Sequence, residues 1–195
     1  MKPLENLDKY EVLLASNSPR RRQLLGDLGI KFEPFVIDDI EEECPAGTPV
    51  MEVAQAISEC KARAYRSVIG GNRLVITADT VVVCDGEVLG KPCDAAGAVA
   101  MLRRLSGKVH HVVTGVTITT AERQSSFSAV TEVEFAELTD EEIAYYVDKF
   151  SPLDKAGAYG IQEWIGCIGV RSISGSFYNV MGLPLQRLYT ELKKF

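Results

Sequence analysis

No apolar run in this chain approaches the roughly 18 residues of a membrane-spanning helix. Residues 1–11 are polar and charged, with no basic stretch leading into an apolar core. These absences argue against a membrane protein and against a targeting leader. The two glycine-rich nucleotide fingerprints, G-x-G-x-x-G and G-x-x-x-x-G-K-[ST], are also missing. Cysteine is sparse: Cys44, Cys60, Cys84, Cys93 and Cys167 are odd in number and include no C-x-x-C pair. That excludes a disulfide framework and a zinc ribbon, and it points to thiols in a reducing cytoplasm. Basic excess is absent, because 21 Lys and Arg face 27 Asp and Glu for a net charge of −6. A general binder of nucleic acid or of acidic membranes would be basic, although a local basic pocket for a small phosphate ligand remains compatible with this balance. Repeats, low-complexity segments and long linkers are missing as well. The 195 residues, 46% of them hydrophobic, suffice for one domain or two closely joined lobes with a sizeable core.

What is present starts with residues 12–25. Residues 12–15 are an apolar run of strand length. Ser18 is a good N-cap and Pro19 suits the first helical position. Leu24, Leu25 and Leu28 then mark one apolar face, and Gly29 can end the helix. This strand, turn and helix put Ser16, Asn17 and Ser18 beside Arg20, Arg21 and Arg22 at a helix N-terminus, where the dipole and unpaired amides favour a phosphate. A solvated basic cluster paired with surface carboxylates accounts for the arginines equally well.

Further along, residues 31–37 read as a second strand. The acidic patch Asp38, Asp39, Glu41, Glu42 and Glu43 follows; it is a solvated loop or, for one or two residues, a Mg²⁺ site. A helix is expected over 50–68 with Val53, Ala56, Ile57, Cys60 and Ala64 inward and Lys61 and Arg63 on its flank. Residues 74–83 are the most apolar segment and read as a central strand buried on both faces. Asp79 and Thr80 stand inside it. A carboxylate there is paired, metal-bound or at a point of emergence, unless the strand ends at Ala78 and Asp79 caps a turn; the apolar run resuming through Val83 favours the former. Asp85 and Gly86 mark a hairpin. Lys91 is held between Gly90 and Pro92, Asp94 caps a helix to Leu105, and Gly107 ends it. A strand over 110–120 carries His110 and His111 on opposite faces, so they form no chelating pair. A turn is expected at 124–126, a strand over 127–137, and a capping box from Thr139 to Glu142. In residues 151–162 small residues allow close backbone approach, with Lys155 and Gln162 bringing a cation and an amide that can read a base edge; an ordinary surface loop is the alternative. A last strand over 167–173, a turn over 175–179 and a helix over 183–195 complete the chain.

Six blocks, at residues 15–21, 77–82, 90–92, 102–107, 154–162 and 179–184, together resemble the Maf family of nucleotide pyrophosphatases in the family's order and over nearly the whole chain. The resemblance implies an inosine-triphosphatase-like α/β fold. The implied architecture is a single Maf-like domain over 1–195, with an elongated mixed sheet flanked by helices and a cleft between two lobes. It also implies hydrolysis of a nucleoside triphosphate between the α and β phosphates, giving monophosphate and pyrophosphate, with a divalent cation (Mg²⁺ or Mn²⁺). Ser16, Arg20, Lys61 and Lys91 match its phosphate-handling positions. Glu42 matches a metal-associated carboxylate, with Glu41 and Glu43 offering the same group one residue away. Asp79 matches the proton acceptor, and sequence does not separate that role from holding the metal. Arg21, Thr80 and Gln162 match the branch similar to dTTP/UTP pyrophosphatases, in which Gln162 would pair with the O4/N3 edge of thymine or uracil. The expected partner is therefore a nucleoside triphosphate, not nucleic acid or membrane; a homodimer is compatible with the resemblance, and the cytoplasm is the expected location. Two other readings are a pyrophosphatase for 7-methyl-GTP or a non-standard purine nucleotide, and a nucleotide-binding septum-formation regulator with little turnover.

Overall fold

The strands are β1 (Glu11–Ala15), β2 (Glu33–Pro34), β3 (Arg73–Cys84), β4 (Glu87–Leu89), β5 (Val109–Thr119), β6 (Gln124–Phe135) and β7 (Val170–Ser174). The helices are α1 (Pro19–Asp27), α2 (Val53–Ala64), α3 (Ala95–Leu105), α4 (Asp140–Phe150), α5 (Trp164–Gly169), α6 (Phe177–Met181) and α7 (Leu185–Leu192). This computed structural model describes residues 3–38, 40 and 44–195, so Asp39, Glu41, Glu42 and Glu43 lie outside the described residues. The strands form one seven-stranded mixed sheet in the order β2-β1-β3-β5-β6-β7, with β4 paired to β3. β1 runs parallel to β2 and to β3, the latter in register from Glu11↔Arg73 to Ala15↔Thr77. β4 on β3 and β7 on β6 are antiparallel. The chain makes two compact units, one of Met1–Asp79, Thr114–Ala129 and Gly182–Phe195, the other of Thr80–Val113 and Val130–Met181.

Features specified by neighbouring residues form where the sequence places them. The Ser18 side chain caps α1 by accepting the Arg21 N–H, Asp94 caps α3 through the Gly97 N–H, and both halves of the Thr139–Glu142 capping box are made. Asp85 and Gly86 both have positive φ, 53° and 75°, as a tight hairpin between β3 and β4 requires.

Four expectations are corrected. The second strand is only Glu33–Pro34, exposed at the sheet's end; proline donates no ladder hydrogen bond and belongs on edges. β6 begins at Gln124, because the turn falls earlier, where the Thr120 N–H donates to the Arg123 carbonyl at 2.8 Å. The stretch expected as a strand from residue 167 is first helix α5 and then β7; a short apolar run does not by itself separate helix from strand. α2 spans Val53–Ala64 and buries Ala54, Ser58 and Ala62, while Val53, Ala56, Ile57 and Cys60 are only partly buried and Ala64 is exposed. The cause is close approach. A Cβ placed on Gly115 of β5 would lie 2.3 Å from the Ala54 carbonyl oxygen, so α2 presents its smallest side chains to the sheet.

Candidate active site

Along β3 every residue from Leu74 to Cys84 is buried except Asp79 and Thr80. The strand does not end at Ala78; it continues, and the carboxylate stands within it. The Lys61 Nζ donates to Asp79 Oδ1 at 2.7 Å, with the two side chains 13% and 15% exposed. This pairing follows from packing beneath it. The Thr77 hydroxyl donates to the Ser58 carbonyl at 2.7 Å, and the Ser58 hydroxyl meets that of Thr117 at 2.8 Å. Lys61 is three residues on from Ser58, on the same side of α2. Asp79 is two residues on from Thr77, on the same face of β3. Anchoring Ser58 on Thr77 therefore carries Lys61 to Asp79.

The turn before α1 belongs to the same unit. Ser16 is buried, one residue beyond the last register pair of β1 with β3, and its hydroxyl accepts the Ser18 N–H at 3.2 Å. Arg20 and Arg21 are partly buried in the first turn of the helix. The Arg21 guanidinium donates from Nε to the Gly182 carbonyl at 2.8 Å and from Nη1 to the Ala78 carbonyl at 2.9 Å. It thus braces β3 at the residue before Asp79. The structure brings Asp79, Lys61 and the Arg21 brace together, with Ser16 beside them along the β1–β3 register.

Thr80, Lys91 and Gln162 lie in the second unit. Thr80 is partly exposed on β3, while Lys91 and Gln162 are exposed. The Gly157 N–H donates to the Gly90 carbonyl at 3.0 Å, which ties the Lys91 segment to the segment that carries Gln162. Gly157 has φ +67°, and a Cβ there would sit 2.8 Å from Val82 Cγ2, so glycine is required. Lys155, read from sequence as a cation for a ligand, is instead buried and held by Asp154 at 2.7 Å and Glu163 at 3.1 Å. Sequence spacing shows none of these partnerships; only Ala54, Ser58 and Ala62 at four-residue intervals, with Gly115 inside a strand, hinted at the close packing of α2.

Neither histidine belongs to a ligand cluster. His110 is fully buried, with Nε2 at 2.8 Å from the Tyr159 hydroxyl and its ring edge-on to Phe135 and Tyr159. Burial foremost, and the neighbouring His111, push its pKa down to about 4. His111 faces Glu132 at 3.7 Å. Among the described residues no three His, Cys, Asp or Glu side chains gather as a closed metal cluster. The partly exposed carboxylate of Asp79 instead fits a Mg²⁺-type ion, which takes one or two protein carboxylates and fills its remaining positions with water and substrate phosphate oxygens.

This arrangement of an interior strand carboxylate beside a capped, arginine-bearing helix on a mixed sheet has a family. Residues 11–195 match the Maf-like protein family, and the chain belongs to it. It is 59% identical to a Bacteroides thetaiotaomicron protein and 60% identical to one from Phocaeicola vulgatus, each alignment covering 98% of this chain and 99% of the relative. A Porphyromonas gingivalis protein is 52% identical, with 98% of each chain covered. All three relatives are named dTTP/UTP pyrophosphatase. Among solved structures, the Staphylococcus aureus Ham1 protein shares the fold, with a TM-score of 0.52 at 18% identity, covering 94% of this chain and 98% of that one. No helix among the described residues is long and apolar enough to cross a membrane.

Proposed function

We propose that this protein is a nucleoside triphosphate pyrophosphatase that hydrolyses dTTP and UTP, or modified pyrimidine nucleotides with the same base edge, to the monophosphate and pyrophosphate. The observation that carries this reading is the Lys61–Asp79 pair at 2.7 Å, set at the one lapse in the burial of β3. The names of the relatives support the substrate class.

In this reading a water oxygen attacks the α phosphorus and its proton passes to the Asp79 carboxylate. The bond from that phosphorus to the bridging oxygen breaks, and pyrophosphate leaves with the electron pair. Negative charge accumulates on the leaving group, so cations there lower the barrier. Arg20, Lys61 and Lys91 supply them, with the Ser16 hydroxyl as a further donor. Lys61, whose ammonium lies 2.7 Å from Asp79, also offers charge to a phosphate oxygen beside that carboxylate. Asp79 and Glu42 would hold a divalent cation, Mg²⁺ or Mn²⁺, which when bound supplies Lewis-acid charge to phosphate oxygens. Arg21, Thr80 and Gln162 set selectivity. The Gln162 amide pairs with the O4/N3 edge of a pyrimidine, and a purine leaves it mispaired. Arg21 contributes by fixing the backbone at Ala78. The cytoplasm belongs to the same reading, supported by the exposed thiols of Cys93 and Cys167, which a reducing compartment maintains. So does a homodimer, on family likeness.

The test is a panel of nucleoside triphosphates with Mg²⁺ or Mn²⁺, with products resolved by chromatography. Monophosphate and pyrophosphate from dTTP and UTP, with little from ATP or GTP, is the expected result. Release of orthophosphate and diphosphate, or preference for 7-methyl-GTP, overturns it.

A further inference from the structure

Tyr146 of α4 is among the largest fully buried side chains, and its hydroxyl works twice. It accepts the Gly160 N–H at 3.0 Å and donates to Oε2 of Glu163. Those two residues are the ends of one turn, closed by the Glu163 N–H donating to the Gly160 carbonyl at 2.9 Å. Gln162 is the third residue of that turn. The other oxygen of Glu163, Oε1, takes the buried ammonium of Lys155 at 3.1 Å, and the same ammonium donates to Asp154 at 2.7 Å. The Glu163 carboxylate also covers Gly160, where a Cβ would lie 2.8 Å from its Cδ. Ile161, the second residue of the turn, is buried. The turn is therefore tied down at both ends and through Ile161, while Gln162 is exposed.

An amide that distinguishes one base edge from another acts through hydrogen bonds whose strength falls steeply with misalignment. An exposed glutamine has many rotamers, so its reach is set by where its backbone is held. We infer that Tyr146, Glu163 and Lys155 are positioning residues for Gln162, and that this phenol–carboxylate–ammonium chain sets the selectivity among nucleobases without touching the base. The inference rests on the proposed reading of Gln162 as the base-contacting residue.

The experiment compares kcat/KM for UTP and GTP in the wild type, Gln162→Ala, Tyr146→Phe and the double variant. Tyr146→Phe removes only the hydroxyl and keeps the ring stacked on Phe150. Gln162→Ala should lower the UTP-to-GTP ratio about tenfold or more, the worth of one or two well-made hydrogen bonds. Tyr146→Phe should lower the ratio by roughly threefold to tenfold through UTP alone, and the double variant should match Gln162→Ala. An unchanged ratio in Gln162→Ala overturns the base-reading assignment itself. A changed ratio in Gln162→Ala with none in Tyr146→Phe, or an equal loss for both substrates in Tyr146→Phe, overturns the positioning role. If Tyr146→Phe does not fold, the isosteric Glu163→Gln decides by the same ratio.

Discussion

Each unit of the molecule holds a lysine against a carboxylate, and the two pairs differ in what surrounds them. Lys61 and Asp79 stand on small groups: Ala54, Ser58, Ala62, Thr77, Gly115 and Thr117 let a helix backbone lie close to the sheet. Lys155 and Glu163, 8% and 20% exposed, stand among large groups, and Glu163 is clasped through both oxygens by a phenol and an ammonium. The nitrogen–oxygen distances, 2.7 and 3.1 Å, do little to set the two pairs apart. The surroundings do so. Glu163 is held on both oxygens and fixes a turn, whereas Asp79 is held through Oδ1 at the lapse in the burial of β3, where the proposed chemistry needs a carboxylate.

The sharpest way to break this comparison is to neutralise the first carboxylate. Asp79→Asn should lower kcat by about 10²–10⁴-fold, the range for losing a general base. Triphosphate binding should survive, as read by calorimetric titration; retained turnover would remove Asp79 from the chemistry. On the other side, Lys155→Met leaves the partly buried Glu163 carboxylate without its cation. It should cost stability of about 1–3 kcal/mol in urea unfolding, the penalty for leaving such a group short of a partner. A loss below about 1 kcal/mol would mean that the second pair is not a fastener.

His110 sharpens the contrast through pH. Its folded pKa, about 4, lies below the ordinary 6.5, so the unfolded chain binds the extra proton first. Its contribution to stability is complete above pH 6.5 and is lost as pH falls toward 4, by up to about 3 kcal/mol. Urea midpoints between about pH 6.5 and 5 should show this slope, and His110→Gln should flatten it. Smaller still is the effect of Gly115→Ala, whose Cβ would meet the Ala54 backbone at 2.3 Å. Overpacking of this kind costs about 1–3 kcal/mol, and moving α2 should weaken turnover as well by drawing Lys61 from Asp79. Gly26→Ala in α1 is the control: its Cβ meets nothing within 4 Å, and helix propensity should raise stability by up to about 1 kcal/mol.

Family membership was legible in the residues alone, because its blocks are local and come in order. So were the caps of α1, α3 and α4, the Asp85–Gly86 hairpin and the anomaly of Asp79 inside an apolar strand. Each depends on hydrogen bonds or burial patterns spanning a few neighbouring residues, so chain neighbours were enough to set them. The buried face of α2 was not legible, since apolar content favours Val53 and Ile57, and only the approach of Gly115 selects Ala54, Ser58 and Ala62. Nor was the partner of Lys155: composition made it a candidate ligand cation, and burial beside Glu163 made it a fastener. The meeting of Lys61 with Asp79 joins residues 18 apart, and that of Tyr146 with Glu163 joins residues 17 apart. Charges and hydroxyls find such partners only after packing has excluded water and set the distance. Tertiary contact therefore decided which polar residues became fastenings and which carboxylate was left partly exposed within a buried strand.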